Sequence, residues 1–236
     1  MKTASQVMSA LKKKGSAQTR KIYARHGAPT DMFGVKVADM KTIAKKIKGN
    51  QELALELFET GNADAMYLAG IVADGSLMNK TQLNKWAKNA NWHMVSEYSV
   101  PGVVNENDAA RDLAMKWIKS KKEHIASTGW TSYIAFISTR EDEELDLKEI
   151  KGLLKQVEKD IHKMPGRVRY TMNGFVIAVG SYVKPLLKDA KATAKKIGKV
   201  EVEMGETSCK VPLATDYIAK IEKLKRVGKK RKSAKC

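Results

Sequence analysis

The chain has 236 residues, 43% of them hydrophobic and 30% charged, which is enough apolar material for a packed core and excludes a disordered chain. Against 26 acids stand 44 lysines and arginines, a formal charge of +18. Such an excess repels itself in a compact state and points to a polyanionic partner, nucleic acid first, with mere solubility as the bland alternative.

The two cysteines, Cys209 and Cys236, exclude a disulfide framework and suit a reducing cytosol. No apolar run of signal type opens the chain, and the longest apolar segment, YTMNGFVIAVGSYV (170–183), is too short and polar to span a bilayer. The expectation is a cytoplasmic protein without membrane association.

In chain order, nearly every segment has helical periodicity. TASQVMSALKKKG has a capping Thr or Ser, Val7, Met8 and Leu11 on one face, and a stop at Gly15. SAQTRKIYARHG follows, then VADMKTIAKKIKG (37–49), with Val37, Met40, Ile43, Ala44 and Ile47 spaced by three and four. NQELALELFETG and ADAMYLAGIVADG repeat the pattern, and Asn79 caps the next helix. Further helices are expected over 108–120, around Trp130, and over 146–162, 167–183 and 185–198. Val200 and Val202 alternate with glutamates in GKVEVEMGETSCKVP (198–212), a short strand-like signal needing a local partner. A last helix, LATDYIAKIEKLKRVG, precedes the tail KKRKSAKC.

Short helices joined by tight loops, two per roughly 40 residues, have the period of HEAT or armadillo solenoids. The expected fold is therefore an all-α, HEAT/armadillo-like helical-repeat solenoid with a concave basic face; a globular helical bundle is the competing architecture. Residues 1–222 form one helical-repeat domain in this reading. Residues 223–236 carry eight basic side chains and no acid, and form a basic tail without fixed structure.

Familiar catalytic patterns are missing. There is no phosphate-binding glycine loop and no serine-hydrolase elbow. His26, His93, His124 and His162 stand apart, without a ligand-pair spacing, so neither metal nor cofactor is expected. All four tryptophans fall between residues 86 and 130. Trp92 has polar neighbours, Asn89, Asn91, His93, Ser96 and Glu97, where an ordinary core tryptophan would have apolar ones. At about 100° per residue, Ser96 lies about 40° from Trp92 and Glu97 about 140° away. Pro101 and Gly102 are expected to break this helix.

YARHGAPTDMFGVKVADMKTIAKKIK (23–48), with its Phe-Gly-Val, resembles the N-terminal segment of the AlkD-type DNA alkylation repair family. RVRYTMNGFVIAVGSYVKPL and GKVEVEMGETSCKVP resemble later segments of a subgroup, so the resemblance spans about residues 20–215. It implies a HEAT-like superhelix that cups DNA and a glycosylase that releases purines alkylated at N3 or N7. In such a reaction a carboxylate stabilises oxocarbenium character on the sugar and positions water. An indole face favours the cationic nucleotide.

Carried over residue by residue, the family tryptophan is Trp92, but the catalytic Asp falls on Ser96. Glu97 is the substitute carboxylate only if the helix is locally overwound or shifted there; Asp108 and Asp112 are acids nearby in sequence. The family arginine falls near Tyr133, and a second lining aromatic on Phe175. Arg20, Lys21, Arg25, Arg167 and Arg169 are candidate phosphate contacts. The expected partner is double-stranded DNA, alkylated or distorted, bound by a monomer. The alternatives are a catalytically silent DNA-structure-binding paralogue and a protein-interaction scaffold.

Overall fold

The structure is a computed structural model that describes residues 1–235; Cys236, the end of the expected basic tail, lies outside the described residues. Thirteen α-helices occur among them and divide between two compact units. The first unit comprises residues 1–113, joined by 204–208 and Lys235; the second holds 114–203 and 209–234.

The first unit contains α1 (Ala4–Lys14), α2 (Ala17–Arg25), α3 (Val37–Lys46), α4 (Gln51–Glu59), α5 (Ala63–Val72), α6 (Lys80–Asn89) and α7 (Val100–Val104). Their starts are set by side-chain caps. Thr3, Ser16, Asn50, Asn62 and Asn79 each accept a backbone N–H in the first turn, and Asn79 forms a reciprocal capping box with Gln82. The core is aliphatic and sulfur-rich, with Phe58 of α4 stacked on Trp86 of α6 at 3.9 Å between centroids. α5 has no polar face; eight of its ten residues, Ala63 to Gly70, are buried.

One of those eight is Asp64, with no exposed surface. Its carboxylate accepts the backbone N–H groups of Phe33 (2.6 Å), Gly34 (2.9 Å) and Val35 (3.0 Å). Those three residues form the Phe-Gly-Val stretch. Gly34 sits at φ +76, where a side chain would also meet the backbone of Ser16 and Arg20. Asn62, itself buried, donates to Asp31 at 2.9 Å and ties the same loop to the start of α5.

α8 (Ala110–Ile118) carries the chain into the second unit, which contains α9 (Glu123–Thr139), α10 (Leu147–Asp160), α11 (Gly166–Tyr182), α12 (Leu187–Ile197) and α13 (Ala214–Lys223). α9 and α11 are its longest helices and are buried around most of their circumference. α10 and α12 are instead amphipathic, with Ile150, Leu153, Leu154 and Val157, and Ala190, Ala194 and Ile197, facing inward. Gly180 of α11 admits Ile218 of α13, which a Cβ would strike.

Two expectations are corrected. No strand forms among the described residues; 199–213 is irregular and partly exposed, because a lone Val-Glu alternation finds no edge to pair with. Nor does the chain break at Pro101: it passes through a π-helical turn, Val95–Ser99, directly into α7. The basic tail, read as having no fixed structure, takes no regular element but is tethered. Gly228 donates to the Ser181 carbonyl, Arg231 to that of Ser138, and Lys230 Nζ reaches Asp142 at 2.8 Å with its side chain 8% exposed. Lys230 finds the Ile137 carbonyl and a half-buried carboxylate in place of an apolar face.

Burial raises the Asp64 pKa, and its three backbone hydrogen bonds only partly offset this. A carboxyl that binds its proton more tightly folded than unfolded favours folding most below the unfolded pKa of about 3.9. That contribution is lost as pH rises through the raised folded value. Urea unfolding across this window should therefore show wild type losing stability relative to Asp64→Asn as pH rises. At neutral pH, Asp64→Ala should cost roughly 3 kcal/mol or more, since three backbone donors, two of them buried, lose their acceptor.

Candidate DNA-binding site

Trp92 begins the helical segment that holds the predicted site. Its carbonyl accepts the N–H groups of Val95 and Ser96, both at 2.9 Å, so Ser96 stands one turn on, as the spacing predicts. The indole is 6% exposed; Nε1 donates to the His26 carbonyl at 3.0 Å, and the ring packs on Tyr23 at 5.1 Å between centroids. Tyr23 in turn donates its hydroxyl to the Val35 carbonyl at 3.1 Å. The tryptophan is thereby linked to the loop that Asp64 clamps. Burial, reinforced by the Asp64 charge, pushes the Tyr23 phenol pKa up.

Ser96 is 1% exposed and Glu97 is 6% exposed. The π-turn that contains them, and runs into α7, has a cause in the sequence. Pro101 has no N–H, and in a regular α-helix its ring would strike the carbonyl of Glu97. Widening the turn relieves that clash, and Val100 donates to Val95, five residues back, in place of four. In a regular helix Glu97 would point about 140° from Trp92. The turn packs so closely on α5 that a Cβ on Gly70 would strike Ser99.

The remaining predicted residues lie in three places. Arg20, Lys21 and Arg25 project from α2 and are exposed. Among the described residues, none of these three side chains has a hydrogen-bond or ion-pair partner. Tyr133 (1% exposed) and Phe175 (0%) lie in the core of the second unit, their rings 5.8 Å apart, with Trp130 5.2 Å from Phe175. Tyr133 Oη donates to Glu149 Oε1 at 2.7 Å, which satisfies a phenol in an otherwise apolar surround.

Arg167 and Arg169 occupy the first turn of α11. The N–H of Arg167 is taken by the Glu123 carboxylate at 2.7 Å, so a protein anion sits where the sequence suggested phosphate. The Arg167 guanidinium lies over the Tyr170 ring at 4.5 Å. Arg169 is half-buried, and its Nε has no partner. Asp108 and Asp112 are exposed; Asp112 pairs with Arg111 at 3.5 Å.

Sequence reasoning missed Asp64. The available signal was a single acid in an otherwise apolar helix, ADAMYLAGIV, where a buried charge demands a partner. No group of three or more His, Cys, Asp or Glu side chains able to hold a metal occurs among the described residues. No helix among them is long and apolar enough to cross a membrane.

Residues 7–191 match the family described as DNA alkylation repair enzyme, which covers most of the chain. The chain belongs to that family. It is 35% identical over 226 residues to an uncharacterised protein of Listeria innocua, spanning 93% of this chain and 97% of the relative. An uncharacterised Listeria monocytogenes protein is 34% identical with the same coverage. A solved structure superposes with a TM-score of 0.91 at 39% identity, covering 99% of this chain and 100% of the other. That protein is described as one of a new family related to the HEAT-like repeat DNA glycosylases with affinity for branched DNA structures.

Trp92→Phe keeps most of the ring packing but leaves the His26 carbonyl without its donor. It should cost about 1 kcal/mol in urea unfolding and leave DNA affinity within twofold. A tenfold loss of affinity at unchanged stability would instead make Trp92 a direct DNA contact.

Proposed function

We propose that the protein binds branched or distorted DNA duplexes and does not excise alkylated purines by the carboxylate-assisted route its family resemblance implies. One observation carries this reading: the position one turn after Trp92 is Ser96, a buried hydroxyl. A serine stays neutral at physiological pH. It cannot supply the charge that stabilises an oxocarbenium-like transition state. Binding to DNA needs no such group. It rests on cations that reach phosphate, and Arg20, Lys21 and Arg25 are exposed and uncompensated. Arg167 and Arg169 extend the same role in this proposal. The affinity of the structural relative for branched DNA supports the choice of ligand.

A second reading has its own observation. Glu97, a buried carboxylate, lies in the π-turn that follows Trp92, so excision could proceed through Glu97. Incubation with duplex containing 7-methylguanine separates the two. No released base is expected. Release that Glu97→Gln abolishes and Ser96→Ala spares would establish the second reading.

Affinity for a four-way junction should fall by about a thousandfold or more between about 50 and about 200 mM salt if about six or more phosphates are engaged. A flat salt dependence would favour a protein-interaction scaffold.

A further inference from the structure

In the first unit, a cavity of about 680 Å³ opens beside α3 and the C-terminal end of α5. Its volume falls within the range of about 300–1,000 Å³ usual for small-ligand sites. Its floor is aliphatic: Ala44 from α3, with Ile71, Val72 and Ala73 from the end of α5. One rim carries Lys41 and Lys45, a turn apart on α3, and Lys48 in the turn that follows. All three are exposed, and among the described residues none has a hydrogen-bond or ion-pair partner. Lys41 and Lys45, four residues apart on one helix, repel each other, and an anion would remove that repulsion.

The opposite rim is different. The Asp74 carboxylate accepts the N–H and hydroxyl of Ser76 at 2.9 and 2.6 Å, bonds that hold its pKa below the usual value. Glu106 accepts the Gly75 N–H at 2.9 Å and the Lys235 ammonium at 2.6 Å. Lys235 also caps the Ala73 carbonyl at the end of α5. These acids are engaged by their own neighbours and not by Lys41, Lys45 and Lys48, and Asp74, which takes both Ser76 bonds on Oδ1, keeps its other oxygen open to a donor.

We infer that this cavity takes a single unpaired nucleotide of a branched DNA. Its phosphate sits on Lys41, Lys45 and Lys48, and its base lies on the aliphatic floor. The base N–H groups face the Asp74 carboxylate, which can accept more bonds than Ser76 supplies. A fatty acid would suit the lysines and floor but would set hydrocarbon against that carboxylate. The inference rests on the DNA-binding reading above and adds what the protein selects at a branch: an unpaired residue, which costs little to place in a pocket.

The test compares a branched duplex carrying one unpaired terminal nucleotide with the same branch fully paired, by fluorescence anisotropy. The unpaired form should bind about tenfold more tightly. Lys45→Gln/Lys48→Gln, on exposed positions, should abolish that preference, lowering affinity for the unpaired form about tenfold more than for the paired branch. Ala44→Leu, which fills the floor, should do the same. Equal affinity of wild type for both branches, or an equal loss for both in the double variant, would overturn the inference.

If neither branch binds, the proposed function fails and the cavity is judged separately by amide NMR shifts on adding dAMP to the full chain. Shifts confined to Lys45, Lys48, Ile71 and Ser76 would sustain a nucleotide site. No shifts, or the same shifts with myristate in place of dAMP, would overturn it. Saturation by dAMP with no preference for the unpaired branch would assign the site to free nucleotide and overturn the DNA form.

Discussion

The first unit is organised around a charge it has removed from water. Asp64 is buried in a helix that is otherwise apolar, and its carboxylate is tolerated because three consecutive backbone N–H groups converge on it. The arrangement fixes the Phe-Gly-Val loop in one conformation. The loop carbonyl of Val35 then receives the Tyr23 hydroxyl, and Tyr23 supports the face of Trp92. A substitution at Asp64 therefore reaches Trp92 through two intervening residues, Val35 and Tyr23. The signature by which the sequence resembles its family is a loop tied down by an acid some 30 residues away.

That network changes how the segment around Trp92 is understood. A tryptophan among polar neighbours invites the role of a site wall. Here the indole is anchored from a distance, because its buried N–H needs an acceptor and finds one in the His26 carbonyl. The irregular winding after it follows from Pro101, whose missing N–H makes a wide turn cheaper than a regular one. π-turns of this kind recur at functional sites, and here the turn holds both Ser96 and Glu97. The same turn presses Ser99 against Gly70, so its position is fixed by packing as well as by the proline.

Helices and their caps were legible because both depend on near neighbours: Thr3, Ser16, Asn50 and Asn79 each act three residues away. The family was legible from Phe-Gly-Val and the segments after Arg167. What escaped were features set by distant contacts. Nothing local announces that Asp64 serves residues 33–35, or that Lys230 is drawn to Asp142 and the Ile137 carbonyl. The strand-like alternation at Val200 and Val202 was a true local pattern, but a strand exists only with a partner, and pairing is not a property of one segment. Tyr133 and Phe175 were assigned by register alone; their ring contacts in the second-unit core depend on how α9 and α11 face each other.

The charge of +18 is compensated only in part by the fold. The visible ion pairs, such as Lys85 with Glu59 and Lys199 with Glu201, are exposed and worth little to stability. Arg20, Lys21, Arg25, Lys41, Lys45 and Lys48 remain uncompensated in the first unit alone. Their mutual repulsion weakens the folded state and, by the same field, draws in a polyanion. Dissolved salt then acts in two opposite ways. It screens the repulsion and so supports the free protein, while it competes with the release of counterions that drives DNA binding. A chain so charged folds best, when alone, under the conditions in which it would bind a polyanion least.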